Sequence, residues 1–321
     1  MTDKLPIRLA AGSGPTFGVD DLSCAAATTL GLWNEEGLDV TWTPVHGGVA
    51  AINAVLDGKV DVSYGGLGPA IKSRAEGNPI RSIVSMARGL AQNLIVQNDI
   101  KTTEQLRGVS WALDGTNALS HHMARLTIRA LGIADSEIDW QVVGPPPERI
   151  ARLLNGSIDV SLIRVEEAIS LSIEQSDKVH NLLGFAELKK LVPVQPHGVL
   201  STTEEYENNH PEELARLARG MIKASRLLHD DYSVFRRVYD ANVSVSVPDD
   251  MVEQIWRQEH DSGGFAVNGE MSDTHWAKQM LLYRELYPDL RPVAQEELLP
   301  KSFVLDALQS MGREQSSYDA T

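Results

Sequence analysis

The chain is poor in cysteine and in basic residues. Its 321 residues include one Cys, 29 Lys and Arg, and 44 Asp and Glu, which gives a formal net charge of −15. A lone cysteine excludes an intrachain disulfide and any zinc or iron–sulfur site built from several cysteines. The acidic balance excludes a nucleic-acid-binding surface, because such a surface requires a basic patch. We therefore expect no nucleic-acid partner.

Long apolar runs are also missing. No stretch approaches the roughly 18 consecutive apolar residues of a membrane-spanning helix. The start of the chain, Met1–Pro6, lacks the apolar segment of a signal peptide. With 23% charged and 42% hydrophobic residues, the composition is typical of a soluble globular protein of about two domains. We expect no membrane insertion, and a cytoplasmic location as written, or a periplasmic one if a leader has been removed.

Common cofactor and catalytic motifs are absent as well. The sequence contains no P-loop, no GxSxG, no HExxH and no EF-hand spacing. Gly12-Ser13-Gly14 follows an apolar segment, but position 17 is Phe, so the third glycine of a dinucleotide fingerprint is missing. We expect neither a cofactor nor a metal ion.

Two segments in the first half of the chain repeat one another. Residues 52–63 (INAVLDGKVDVS) and 150–161 (IARLLNGSIDVS) lie 98 positions apart and align without gaps. Each reads as the end of a helix, an Asp-Gly or Asn-Gly cap and a short apolar strand. Such a long-range repeat predicts two similar structural units.

The similarity extends upstream of both segments. The predicted elements are strands over Ile7–Ala11 and Leu38–Pro44 around a helix from near Asp20 through Trp33, and strands over Val109–Leu113 and Asp139–Val143 around a helix over Ser120–Leu131. Each unit reads strand–loop–helix–strand–loop–helix–strand, which is typical of a right-handed parallel α/β unit. The sequence therefore predicts an α/β protein of two lobes, each a mainly parallel sheet flanked by helices.

The remaining chain completes the two lobes. We predict a helix over Val165–Ser172, short strands over 181–183, 192–194 and 199–202, and amphipathic helices over 212–228, 248–256 and 275–286. The chain is expected to cross between lobes twice, from Ile83–Met86 to Leu94–Gln97 and from Val194 to Leu200. Lobe 1 would then contain residues 1–94 and 196–321, and lobe 2 residues 95–195.

Candidate binding residues lie where the predicted strands end. In open parallel sheets, ligands bind beyond the carboxyl ends of the strands, near helix N-termini that favour anionic or polar groups. The candidates are Ser13, Thr16, Phe17, His46, Gly47, Tyr64, Gly65 and Gly66 in lobe 1, Thr116, Asn117, Ser120, His121, Arg164 and Glu166 in lobe 2, and His197 at the return crossing. Facing sets of small, polar and Gly-rich loops predict a small-molecule cleft between the lobes.

Four of these segments resemble a known family. Residues 31–40 (GLWNEEGLDV), 56–66 (LDGKVDVSYGG), 106–109 (LRGV) and 115–121 (GTNALSH) are similar to the nitrate/sulfonate/taurine group of ABC-transporter substrate-binding proteins, the SsuA-like proteins. The resemblance covers about residues 1–230 of the chain. It implies the type 2 periplasmic-binding fold, with a two-strand hinge, closure on a small ligand and delivery to an ABC permease.

The same fold group includes other activities. Its members include binders of thiamine-pyrimidine precursors, and enzymes such as aromatic sulfinate desulfinases, dihydroxyphthalate decarboxylases and futalosine-pathway enzymes. This chain departs from the transporter pattern in lacking an export signal, and in having Arg164-Val165-Glu166-Glu167 where transporter members often have an aromatic-acid-proline turn. The departures leave room for an enzyme on this fold.

His46 and Cys24 are the residues that bear on catalysis. His46 lies in a Gly-flanked loop, where it either packs on a neighbour or faces the cleft, and a histidine at a similar position matters in desulfinase-like relatives. It is the candidate general acid or base. A desulfinase-type nucleophile would lie near Phe17 or Gly18, whereas Cys24 lies on the following helix among alanines, which favours a buried apolar role.

The other polar candidates have two interpretations each. Arg164 would bind a carboxylate, sulfonate or phosphate of the ligand, or it would pair with Glu166 or Glu167. His121 and His122 are adjacent, so on a helix they diverge by about 100° and cannot share a metal ion, and one of them is expected to face the cleft mouth. Ser120 would cap its helix, contact the ligand, or do both.

Two functional hypotheses follow. The first is a solute-binding protein that clamps a small anionic or heteroaromatic metabolite, such as a sulfonate, a carboxylate or a pyrimidine-like compound, for ABC-type uptake. The second is a cytosolic, cofactor-independent decarboxylase or carbon–heteroatom lyase of an aromatic acid, with His46 as acid or base.

Overall fold

Two mixed five-stranded sheets form the framework of the protein. The computed structural model describes residues 4–12, 17–116, 118–193 and 197–315. The first sheet has the order β2-β1-β3-β10-β4 and the second has the order β7-β6-β8-β5-β9. The strands of the first sheet are β1 (Leu5–Ala11), β2 (Leu38–Pro44), β3 (Val62–Gly66), β4 (Ile80–Arg88) and β10 (His197–Thr203). The strands of the second are β5 (Gln92–Gln97), β6 (Ser110–Leu113), β7 (Asp139–Val142), β8 (Val160–Arg164) and β9 (Val179–Leu183).

Helices cover the faces of both sheets. The described helices are α1 (Leu22–Thr29), α2 (Leu32–Glu35), α3 (Gly48–Leu56), α4 (Leu67–Ala75), α5 (Leu119–Ala130), α6 (Pro146–Leu154), α7 (Val165–Glu174), α8 (Phe185–Leu191), α9 (Glu204–Asn209), α10 (Pro211–Asp230), α11 (Tyr232–Asn242), α12 (Asp249–Asp261), α13 (Asp273–Leu286), α14 (Gln295–Leu298) and α15 (Ser302–Met311). Short 3₁₀ turns lie at Val19–Asp21, Thr103–Leu106 and Asp135–Glu137. Within the described residues, no helix is long and apolar enough to cross a membrane.

The sheets have equivalent topologies. Strands β1, β2 and β3 are parallel in the first sheet, as β6, β7 and β8 are in the second, and the other neighbour of β3 and of β8 is antiparallel to it. That antiparallel strand is β10 in the first sheet and β5 in the second, so each follows a crossing of the chain from the other sheet. The predicted α/β fold of two mainly parallel sheets joined by two crossings is confirmed. The lobe boundaries, residues 1–94 with 196–321 and residues 95–195, stay a prediction.

The internal repeat has the same structure in both copies. Helix α3 and strand β3 recur as α6 and β8, each shifted by 98 residues. The glycines that end the two helices, Gly58 and Gly156, have φ values of +67° and +75°. Glycine adopts this left-handed conformation without steric cost, so the Asp-Gly and Asn-Gly signals end both helices at the equivalent residue.

Two predicted elements are wrong. The single helix expected from near Asp20 through Trp33 is a 3₁₀ turn followed by α1 and α2, because Gly31 adopts a left-handed φ of +73° between the two helices. The strand expected over 192–194 is also wrong in its described part. Val192 packs into the core after α8, and Pro193, which has no N–H to donate, lies outside both helix and strand, while Val194 lies outside the described residues.

The hydrophobic cores connect the two sheets. One core packs α1 and α10 against the first sheet, yet it also contains Ala91 of the first crossing and Val165 and Phe185, which follow that crossing. A second core contains Leu67 and Ile71 of α4 together with residues of β5, β6 and α5. Apolar packing therefore runs across both sides of the boundary between the sheets.

Candidate functional site

A cleft lies between the two sheets, at the ends of their strands. Its empty volume is about 810 Å³, including the space at its open mouth. Its lining residues are Gly12, Asp20, Asp21, His46, Gly47, Gly48, Tyr64, Gly65, Gly66 and Leu90 on one side, and Gln92, Asp114, Ser120, Pro145, Pro146, Arg149 and Arg164 on the other. We call Gly12, His46–Gly48 and Tyr64–Gly66 the first rim, and Asp114, Ser120, Pro145, Pro146, Arg149 and Arg164 the second rim.

Backbone contacts hold the first rim together. The N–H of Gly12 donates to Tyr64 O at 3.0 Å, and the N–H of Gly47 donates to Gly12 O at 2.9 Å. Gly47 has a φ of +88°, which side chains rarely adopt. A Cβ on Gly12 would lie 3.1 Å from Tyr64 O, which is tighter than an ordinary contact. The first rim therefore consists of closely spaced backbone, as its glycine content predicts.

Asp20 and Tyr64 form the floor of the cleft on that side. The Tyr64 hydroxyl donates to Asp20 O at 3.0 Å, and an oxygen of the Asp20 carboxyl accepts from the N–H of Ala91, where the chain crosses between sheets. Burial, together with the charge of Asp21, raises the pKa of Asp20 to about 7. The carboxyl is therefore poised to titrate near neutral pH.

Arg164 of the second rim pairs across the cleft with Asp21. Its Nη2 lies 3.7 Å from Asp21 Oδ2, and the same oxygen accepts from the N–H of Gly18 at 3.0 Å. Glu166 lies against this pair: a Cβ on Gly18 would lie 2.4 Å from Glu166 Oε1 and 2.7 Å from Arg164 Cδ. A side chain at position 18 would therefore displace the side chains of Glu166 and Arg164.

Glu166 is buried at this contact. Its side chain is 1% exposed, and burial raises its pKa to about 8 although the Arg164 charge acts in the opposite direction. Burial would lower the pKa of Arg164, but Asp21, Glu166, Glu167 and Asp20 together raise it. Asp21, the carboxyl with the largest effect, therefore compensates the charge of Arg164.

Arg149 and Asp114 bring further charge to the second rim. Arg149 is 4% exposed, and its Nε donates to Gly144 O at 3.1 Å, while Nη1 donates to Leu162 O at 2.6 Å and to Ser161 Oγ at 3.1 Å. Burial raises the pKa of the Asp114 carboxyl, against the charges of Arg149, Arg164 and His46. The second rim is thus built from charged side chains rather than from backbone.

The two rims approach each other closely at one point. A Cβ on Gly47 would lie 3.5 Å from Asp114 Oδ2, so the first rim meets the second there. The cleft can therefore contact a ligand of small-molecule size from both sides at once.

Seven of the predicted binding residues line the cleft. They are His46, Gly47, Tyr64, Gly65, Gly66, Ser120 and Arg164. The Ser120 hydroxyl is buried without a hydrogen-bond partner among the described residues, so it is available to a ligand. Ser13, Thr16 and Asn117 lie outside the described residues.

The other predicted residues lie around the cleft without lining it. Phe17 packs edge-on against Trp42 with ring centroids 5.1 Å apart, and Thr116 is exposed to solvent. His197 is buried in β10, and its Nδ1 lies 3.2 Å from Ser85 Oγ. Glu166 lies beneath Arg164. A binding role for these residues stays a prediction.

The adjacent histidines diverge as expected, but neither lines the cleft. The ring of His121 packs edge-on against Trp140 at 5.3 Å, and burial lowers its pKa. His122 is buried, its Nε2 lies 2.6 Å from the Tyr287 hydroxyl, and burial lowers its pKa to about 3. Both side chains pack in the interior rather than at the cleft mouth.

Ten lining residues were not among the predicted binding residues; they are Gly12, Asp20, Asp21, Gly48, Leu90, Gln92, Asp114, Pro145, Pro146 and Arg149. Asp114 directly follows β6 and Arg149 lies in the first turn of α6, so a count of positions after the strand ends would have included both. Asp20, Asp21 and Gln92 come from a 3₁₀ turn and from the strand after the crossing. No spacing in the sequence indicates that these three reach the cleft.

Cys24 is not a nucleophile in this structure. It is fully buried in the core, and burial raises the pKa of its thiol well above the usual range. Among the described residues, no group of three or more His, Cys, Asp or Glu side chains is placed to hold a metal ion.

Solved structures with this fold come from several proteins. A protein of Bordetella bronchiseptica RB50 superimposes with a TM-score of 0.80 at 17% identity, over 97% of this chain and 99% of that one. The alkanesulfonate-binding protein SsuA of Xanthomonas axonopodis pv. citri, bound to MOPS, has a TM-score of 0.72 at 14% identity, over 94% and 99% of the two chains. The desulfurization enzyme DSZB has a TM-score of 0.64 at 14% identity, over 96% and 100%. These likenesses confirm the fold expected from the resemblance to the SsuA-like proteins.

Sequence comparison identifies the family. No curated protein matches this chain. Residues 22–231, about two thirds of the chain, match the family described as NMT1/THI5 like. The chain belongs to the NMT1/THI5-like family.

Proposed function

We propose that this protein is a solute-binding protein that holds a small anionic or heteroaromatic metabolite between its two rims and delivers it to an ABC permease. The observation that carries the proposal is the cleft itself, in which a backbone rim and a charged rim face each other at the ends of two equivalent sheets. Strand ends and helix starts concentrate free N–H groups there, which favours anionic or strongly polar ligand groups.

The chemistry of the rims fits a sulfonate, a carboxylate or a pyrimidine-like compound. Arg149 and Arg164 bring positive charge, and the Ser120 hydroxyl is free to donate or accept a hydrogen bond. Gly65 and Gly66 leave room for a flat ring to lie against backbone. SsuA is named as an alkanesulfonate-binding protein, and its likeness to this chain supports the sulfonate class. Location in the periplasm is part of this proposal.

A catalytic function on the same fold is the alternative. His46 lines the cleft together with Asp114 of the opposite rim, where an acid or base can reach a bound substrate. The likeness to DSZB gives this fold an enzyme member. In this alternative the protein would be a decarboxylase or a carbon–heteroatom lyase of an aromatic acid.

One experiment separates the two functions. Isothermal titration against a panel of sulfonates, carboxylates and pyrimidines is combined with mass spectrometry of each compound after incubation. We expect at least one compound to bind with a Kd below about 10 μM, a typical range for specific binding, and to be recovered unchanged. His46→Ala should weaken binding by about fivefold, because one hydrogen bond is lost, and His180→Ala, on the outer strand β9, serves as the matched control.

Two results would overturn the proposal. One is the absence of any compound that binds more tightly than about 1 mM. The other is turnover of a bound compound that His46→Ala abolishes and His180→Ala does not, which would establish the enzyme instead.

A further inference from the structure

Arg149 is a buried cation that the protein leaves incompletely satisfied. A guanidinium carries five N–H donors. Three of these N–H groups of Arg149 donate to acceptors near the second sheet, which are Gly144 O, Leu162 O and Ser161 Oγ. The two N–H groups of Nη2 donate to no acceptor among the described residues. Arg149 lines the cleft, and Nη2 is not one of the side-chain atoms that are fully buried without a partner, so this unused edge is accessible from the cleft.

The charge of Arg149 also lacks a direct counter-ion. Its guanidinium forms no ion pair with a carboxylate of the described residues, although Asp114 and Glu167 act on it from farther away. Burial lowers its pKa, as expected of a cation removed from water. A buried charge is costly unless it is paired, so an anion bound at Nη2 would stabilise the site.

Arg164 differs on each of these points. It lies 3.7 Å from Asp21, and four neighbouring carboxyl groups raise its pKa. An anionic ligand at Arg164 would have to displace or compete with these carboxyls. Of the two arginines on the second rim, Arg149 is therefore the one whose charge is not balanced by an ion pair.

The internal repeat shows that this arginine is specific to one rim. The position equivalent to Arg149 in α3, 98 residues earlier, is Ala51, which is fully buried. The first copy thus forms the equivalent helix without an arginine at this point. Three hydrogen bonds fix the guanidinium plane, which is how a binding arginine is held ready for its partner.

We propose that Arg149 binds an oxyanion of the ligand, a carboxylate, sulfonate or phosphate, through its free Nη2 edge, and that it makes the cleft selective for compounds carrying such a group. This inference rests on the proposed function and assigns the anion-binding role within the same cleft. Arg164 then acts as the partner of Asp21 across the cleft and does not hold the ligand anion.

Inorganic sulfate tests the inference without knowledge of the natural ligand. Sulfate is titrated calorimetrically into the protein against chloride at constant ionic strength, with thermal unfolding as a second readout. We expect saturable binding and a saturable rise in Tm for the wild type. Arg149→Gln should weaken sulfate binding at least about tenfold, because a charge-assisted hydrogen bond is lost. Arg152→Gln, an exposed residue of the same helix with the same change in charge, should change it by less than about twofold.

A crystallographic measurement on the wild type covers the case in which Arg149→Gln fails to fold. Crystals soaked in selenate should show an anomalous peak within hydrogen-bond distance of Arg149 Nη2. Selenate bound at another point of the cleft, no saturable sulfate binding, or unchanged sulfate binding in Arg149→Gln would overturn the inference. Failure of the proposed function gives a different result, since no organic compound of the panel would bind while sulfate still bound at Arg149.

Discussion

The two rims of the cleft occupy equivalent positions in the repeat but are built from opposite materials. Gly47 and Gly48 begin α3 where Pro145 and Pro146 begin α6, and Gly66 ends β3 where Arg164 ends β8. One rim offers closely packed backbone, and the other offers charged side chains on rigid turns. One strand–helix scaffold therefore carries two kinds of surface, one of closely packed backbone and one with charged side chains.

Exchanging glycine and proline between the rims should give the largest difference in stability between them. Gly47→Pro removes an N–H that donates to Gly12 O and forces φ from +88° to about −65°, so we expect the free energy of unfolding to fall by more than about 3 kcal/mol. Pro145 already has a φ of −63°, and Pro145→Gly should cost about 1 kcal/mol or less, mainly through unfolded-state entropy. Urea denaturation of both variants measures the difference. Equal losses would mean that the two helix starts are interchangeable.

Glu166 should give the next largest effect, and it depends on pH. Its equivalent in the first copy is Gly68, so this buried carboxyl belongs to one copy only. The folded protein keeps the Glu166 proton up to about pH 8, whereas the unfolded chain releases it near 4.5. Between these pH values the folded state binds more protons, so the free energy of unfolding falls as pH rises.

Glu166→Gln should reduce this loss. We expect the variant to gain about 1–3 kcal/mol over the wild type on going from pH 5 to pH 8.5, because glutamine has no proton to release. Denaturation at several pH values provides the measurement, and Glu174→Gln, at the exposed end of the same helix, is the control. An identical pH profile for Glu166→Gln and the wild type would contradict the assignment.

The smallest effect concerns the aspartates at the start of β3 and β8. Asp61 accepts from the N–H and the guanidinium of Arg8, whose side chain is 53% exposed, whereas Asp159 accepts from the N–H and the hydroxyl of Ser110. Ser110→Ala should lower the free energy of unfolding by about 1 kcal/mol, because a half-buried hydrogen bond is lost. Arg8→Ala should lower it by less, since exposed ion pairs contribute little. Thermal denaturation compares them, and a larger loss for Arg8→Ala would reverse the expected order.

Local signals explain what the sequence could predict. The Asp-Gly and Asn-Gly caps at Gly58 and Gly156 fix helix ends within a few residues, so the repeat predicted α3, β3, α6 and β8 correctly. The same rule applied at Gly31 would have divided the first helix, but no polar cap residue precedes that glycine. Strand ends were placed well, and several rim residues at or after them were found, although Asp114, which directly follows β6, was left out.

The rest of the site depends on distant contacts. Asp20 and Asp21 reach the cleft only because the 3₁₀ turn packs against the crossing at Ala91 and against Arg164. The buried guanidinium of Arg149 donates to carbonyl groups on β8 and on the loop before α6. The sequence pattern of the helix itself does not reveal these acceptors. Protonation states also could not be predicted from the sequence, because the pKa of Glu166 depends on its burial and on the nearby charge of Arg164.

The two halves of this molecule do not have separate interiors. Phe185 and Val165, which follow the first crossing, pack in the same core as α1 and α10, and α4 shares its core with α5. Separating the halves would expose this shared interior to water, at a free-energy cost of roughly 25 cal/mol for each Å² of apolar surface exposed. Separating the two halves therefore has a free-energy cost in proportion to this shared apolar surface, and that cost would prolong the stay of a captured compound.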